Sequence, residues 1–70
     1  MEKHLMVTGV STVSWKDAVV KAIEEISKTI DYLSTVTILN QKARISGNKI
    51  VEYFVDLEVT FIVDRDRKKD

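Results

Sequence analysis

The 70-residue sequence predicts an α+β fold in the order β-α-β-β, with a three-stranded antiparallel sheet wrapped around one amphipathic helix. Three observations carry that expectation. In "IVEYFVDLEVTF", residues 50–61, Val51, Tyr53, Val55, Leu57, Val59 and Phe61 recur at a period of two, the signature of a strand with one apolar face. Trp15, Ala18, Val19, Ala22, Ile26 and Ile30 instead follow i, i+3, i+4, i+7 spacing, which makes one stripe of a helix. Between the last two apolar runs lies "SGNK", residues 46–49, where Gly47 and Asn48 both tolerate positive φ and so close a tight hairpin.

Taken in order, "KHLMVTGVS" opens with a first strand over about Lys3–Thr8, punctuated by Gly9 and Ser11. "SWKD" matches a capping box, with Ser14 as N-cap and Asp17 able to reach back to its amide. Val13 and Ala18 are spaced for a hydrophobic staple. The helix is expected over about Trp15–Asp31, with Lys21–Glu25 and Glu24–Lys28 as i,i+4 pairs on its polar side. "STVTILNQKARIS" reads as the second strand. Val36 and Ile38 share one phase and Leu39, Ala43 and Ile45 the other, so one extra residue in a bulge at Ile38–Leu39 reconciles them. The third strand continues to about Asp64.

Composition narrows the function classes. Eleven basic and eleven acidic residues cancel, and no basic stripe is present, so nucleic acid is not an expected partner. No apolar run approaches the roughly 18 residues that span a membrane, and no secretory segment is visible near Met1, so a cytoplasmic location is the expectation. The chain has no cysteine, which excludes disulfides, thiolate metal sites and a cysteine nucleophile. Residues 1–70 are read as one domain, with "DRDRKKD", residues 64–70, as a charged, solvated tail. A chain this short buries only about 60% of its unfolded surface. With 44% hydrophobic residues and no staple, it is expected to bury the remainder between subunits.

Catalysis finds no support. His4 is the lone histidine and is read as a solvated strand residue. No nucleophile–base pair or acid–base pair stands out, and Gly9 and Gly47 are too isolated to cradle a phosphate. The chain is expected not to be an enzyme. Glu52, Asp56 and Glu58 share one face of the last strand; Glu52 and Asp56 are the candidates for a divalent cation held between subunits, against the plainer reading of a solvated face. Trp15 is read as a core or interface anchor rather than a stacking platform.

Phe54 breaks the pattern, placing an aromatic ring on the face that carries Glu52, Asp56, Glu58 and Thr60. It also focuses a resemblance. The length, the β-α-β-β order, "GVS" before the helix, "SWKDAV" opening it, "SKTI" near its end and "VEYFVDLEVTF" in the last strand together resemble the dodecins, over roughly Leu5–Val63. The resemblance implies a hollow homododecamer with cubic symmetry that binds or stores a small molecule. In flavin-binding dodecins a tryptophan at the start of the second strand stacks on the isoalloxazine ring, and a glutamine in an "EYQV"-like stretch bonds its polar edge. Those positions fall at Thr35 and Phe54 here, while the basic residue of the second strand has a counterpart in Lys42. Loss of a stack costs about 1–3 kcal/mol, and an unpaired buried edge costs about 1–3 kcal/mol more. Flavin (riboflavin or FMN) is therefore expected to bind roughly two to four powers of ten more weakly. Two alternatives stay open: a flavin-binding dodecin with a variant pocket in which Phe54 itself stacks on the ring, and a calcium-binding dodecin.

Overall fold

The computed structural model describes residues 2–63. The charged tail at 64–70, including the expected strand end at Asp64, lies outside the described residues. Four elements follow one another: β1 (Glu2–Ser11), α1 (Trp15–Ile26), β2 (Leu33–Ser46) and β3 (Lys49–Ile62). The sheet is antiparallel with β3 at its centre, in the order β1-β3-β2. β3 holds the centre because its inward phase is apolar without interruption. Val55, Leu57 and Val59 are fully buried beneath Ala18 and Ile26 of the helix, and burial of such a side chain contributes about 1.5–3 kcal/mol.

The helix lies mainly on β1 and β3, with Ala18 fully buried at its closest approach. Gly9 allows that approach, since a Cβ there would collide with the Ala18 carbonyl oxygen and press on the Val55 side chain. Gly9 is thus a packing residue inside β1, not the end of the strand, which continues to Ser11 instead of stopping near Thr8. The far strand β2 receives little of the helix, and Val36, Ile38, Leu39 and Ile45 remain exposed. One tie bridges the gap. The Trp15 indole Nε1 donates to the Lys42 carbonyl at 2.9 Å, while the ring meets Tyr53 edge-on with centroids 4.9 Å apart. Trp15 is half-buried, in keeping with an anchor.

The helix start is wired differently from the expected capping box. Ser14 accepts from the Asp17 amide at 2.9 Å, as an N-cap should. Asp17, however, does not reach back to the Ser14 amide. Its Oδ2 accepts from the Ser11 hydroxyl at 2.6 Å, and Ser11 Oγ in turn accepts from the amides of Val13 at 2.8 Å and Ser14 at 3.4 Å. The Ser11 hydroxyl holds the Asp17 carboxyl below the ordinary aspartate range, with Lys21 assisting and partial desolvation opposing. Val13 is 66% exposed and makes no staple; the close Gly9–Ala18 packing already sets the entry angle.

The helix stops at Ile26, short of the expected Asp31. Ser27 Oγ donates to the Glu24 carbonyl at 2.8 Å and Thr29 Oγ1 to that of Ile26 at 3.3 Å, while the Lys28 and Thr29 amides bond three residues back. Hydroxyl side chains thus satisfy the last carbonyls and tighten the chain into turns. Ile30 still packs against the core from beyond the helix. The polar face also pairs otherwise than expected: Lys21 meets Asp17 at 3.4 Å and Lys28 meets Glu25 at 3.2 Å, instead of Lys21–Glu25 and Glu24–Lys28. For Lys21, the acid one turn on its N-terminal side is the better oriented partner.

The hairpin closes as expected, with Gly47 at φ 58° and Asn48 at φ 64°. The bulge between Ile38 and Asn40 is where the phase switch placed it, and the β2–β3 ladder slips twice more, at Leu33/Thr35 and Arg44/Ile45.

Candidate ligand face

The sheet face turned away from the helix gathers the residues of interest. On β3 it carries Glu52, Phe54, Asp56, Glu58 and Thr60, and the register sets a partner on each side. Phe54 stands between Val10 of β1 and Lys42 of β2. Directly opposed residues bring their Cβ atoms to about 4.5–5.5 Å, so the ring is flanked by a valine and a lysine stem and is half-buried within a single chain.

Each of the three β3 carboxylates on this face has a partner. Arg44 holds Glu52 with its Nη2 at 2.6 Å and its Nε at 2.8 Å from Oε1. Asp56 accepts from Thr8 Oγ1 at 3.1 Å, and Lys42 Nζ stands 3.9 Å from its other oxygen. Glu58 is met by His4 Nδ1 at 3.2 Å. The histidine thus engages Glu58, not the Glu52 or Asp56 that a cation site would recruit. Glu52 and Asp56 are four residues apart on β3, about 13 Å in a strand. Among the described residues no group of three or more His, Cys, Asp or Glu side chains is placed to hold a metal ion.

Thr35 lies elsewhere on the same sheet. It pairs with Thr60, the two hydroxyls 2.6 Å apart, and its amide donates to Thr60 Oγ1 at 3.1 Å. Thr60 is six residues from Phe54 along β3, about 20 Å. One chain therefore brings Lys42 to Phe54 but not Thr35 to either.

A shallow trough of about 330 Å³ opens over Asp56, with Met6 and Thr8 on the β1 side and Leu39 and Asn40 on the β2 side. None of the last four was expected at a site from the sequence, where Leu39 only marked the bulge. Met6, Thr8 and Val10 share a phase that could have placed them on this face. Leu39 joins through the bulge, whose position was legible but whose outcome for side-chain direction was not.

No helix of the described residues is long and apolar enough to cross a membrane. Comparison with known proteins places the whole described chain. The family model described as Dodecin matches residues 2–64. A mutant of the dodecin from Thermus thermophilus superposes with a TM-score of 0.87 at 25% identity, covering 91% of this chain and 96% of that one. The dodecin from Streptomyces coelicolor gives 0.86 at 20% identity, covering 91% of each chain. A structure from Mycobacterium tuberculosis, described as a calcium dodecin with a novel calcium-binding site, gives 0.80 at 21% identity over 96% of each chain. No curated protein matches the chain.

Proposed function

Because the chain belongs to the dodecin family, we propose that it is a binding or storage protein that assembles as a hollow homododecamer and does not take flavin in the usual stacked mode. The observation that carries this reading is the Thr35–Thr60 hydroxyl contact of 2.6 Å. At the position where flavin-binding relatives present an indole, this chain presents a short side chain already bonded across the ladder. Phe54, at the glutamine position, can neither donate nor accept a hydrogen bond. Its ring fills space between subunits that a flavin edge would otherwise occupy.

Assembly is supported by the surface that one chain leaves uncovered. Ile45 is 57% exposed, and Val20, Ile38 and Ile50 are each more than two-fifths exposed, on a body measuring 55 × 18 × 12 Å. A small core cannot hide so thin a sheet, and contact with further copies removes that apolar area from water.

Three measurements test the reading. Light scattering on the chromatographed protein should give twelve times the 8.0 kDa subunit mass; a monomer or dimer would refute the assembly. Riboflavin and FMN fluorescence should stay unquenched at micromolar protein. Quenching would establish instead a flavin-binding dodecin with a variant pocket. Calcium titration by calorimetry, repeated on Glu52→Gln and Asp56→Asn, should give no heat; heat that these changes abolish would establish a calcium-binding dodecin with its site between subunits.

A further inference from the structure

The trough over Asp56 has a chemical character of its own. Its walls are apolar and accessible, with Met6 62% and Leu39 46% exposed. They stand on strands β1 and β2, two ladder spacings apart with β3 between, or about 9.6 Å at the backbone. Its floor is a carboxylate with one oxygen engaged by Thr8, at 3.1 Å, and the other facing only the distant ammonium of Lys42, at 3.9 Å. Asn40 stands directly across the ladder from Asp56, and its side-chain amide makes no hydrogen bond among the described residues.

The charge of the surroundings has a sign. Among the described residues, Glu52, Asp56 and Glu58 on this face meet only two permanent cations, Arg44 and Lys42, and Arg44 is fully engaged by Glu52 at 2.6 Å. The Lys42 contact is long and its side chain is 65% exposed, so it holds Asp56 weakly. A planar cation with paired N–H donors makes a stronger match, because two parallel hydrogen bonds to one carboxylate exceed what a swinging ammonium supplies.

We propose that the trough is a binding site for a small flat ligand with an apolar ring and a cationic N–H edge of the amidine or protonated aminopyrimidine type. The ring lies between Met6 and Leu39, the N–H edge meets the Asp56 carboxylate, and the Asn40 amide reads the neighbouring polar position. The volume of about 330 Å³ is at the lower end of the range for small-molecule sites. The inference rests on the reading of the chain as a small-molecule binding protein and names the class of ligand.

Benzamidine is the probe, with benzamide as its uncharged isostere, titrated by calorimetry into the assembled protein. Benzamidine should bind saturably and at least about tenfold more tightly than benzamide, as the charge-assisted pair requires. Asp56→Asn should remove that preference, Leu39→Ser should weaken both ligands several-fold, and Lys42→Gln should strengthen benzamidine by removing its competitor. Circular dichroism and light scattering establish that each variant remains folded and assembled. The absence of saturable binding at millimolar benzamidine, equal binding of benzamide, or an Asp56→Asn protein that binds as the parent does would overturn the inference. Such a result on a dodecamer that leaves riboflavin unquenched removes this ligand class alone; riboflavin quenching or a failed assembly removes the reading beneath it.

Discussion

Thr35 and Thr60 share a hydroxyl–hydroxyl contact of 2.6 Å across the β2–β3 ladder, and Thr60 Oγ1 also accepts from the Thr35 amide at 3.1 Å. This pair fixes the beginning of β2 on the central strand just where the ladder slips between Leu33 and Thr35. A valine at position 60 keeps the shape and removes these bonds, along with the longer one from Thr60 Oγ1 to the Thr35 carbonyl at 3.4 Å. Thr60→Val should lower stability by about 1–2 kcal/mol in urea titration of the assembled protein, and an unchanged midpoint would show that the contact carries no weight.

The same pair bears on flavin. Restoring an indole and an amide with the double change Thr35→Trp and Phe54→Gln should bring back riboflavin quenching, strengthening binding by roughly two to four powers of ten. Thr35→Trp alone should do less, because it strips Thr60 of its partner and leaves Phe54 against the polar edge of the ring. A double variant that assembles and still leaves riboflavin unquenched would show that other residues close the pocket.

Gly9 carries the close approach of α1 to the sheet. In Gly9→Ala the new methyl meets the Ala18 carbonyl, a backbone atom that cannot rotate away. The helix must lift from β1 and β3, at a cost of about 1–3 kcal/mol or more. Thermal melts should show a clear loss of stability, whereas Gly47→Ala acts through its φ of 58° alone, in open space.

Trp15→Phe separates packing from hydrogen bonding at the helix start. The phenyl ring keeps an edge contact with Tyr53 but cannot donate to the Lys42 carbonyl. A loss of about 1–2 kcal/mol is expected, with hydrogen exchange quickening around Lys42 in the edge strand ahead of the central one.

Asp17 gives the fold a dependence on acid. Its folded-state pKa lies below the unfolded one, mainly through the Ser11 hydroxyl, so its contribution is present above the unfolded value of about 3.9 and is lost as pH falls through the folded value. Stability measured from about pH 5 downward should therefore decline. Ser11→Ala should flatten that decline while lowering stability at neutral pH, since the Val13 and Ser14 amides lose their acceptor.

Much of this protein is local and was legible in the residues. The period of two in β3, the helical stripe from Trp15 to Ile26, Ser14 as N-cap, the Gly47–Asn48 turn and the bulge at Ile38 each follow from neighbours in sequence, because backbone geometry repeats over two or four residues. Phe54 announced itself as an exception for the same reason. What the tertiary structure decided is which distant groups meet. Asp17 turned to Ser11 and left the Ser14 amide, and α1 ended at Ile26 because Ser27 and Thr29 hydroxyls reached its carbonyls. The register seated Lys42 beside Phe54, sent Thr35 to Thr60, and gathered Met6, Leu39 and Asn40 around Asp56. Such meetings depend on register summed along whole strands, and each slip of one residue turns a side chain to the other face. No window of sequence short enough to read contains that sum.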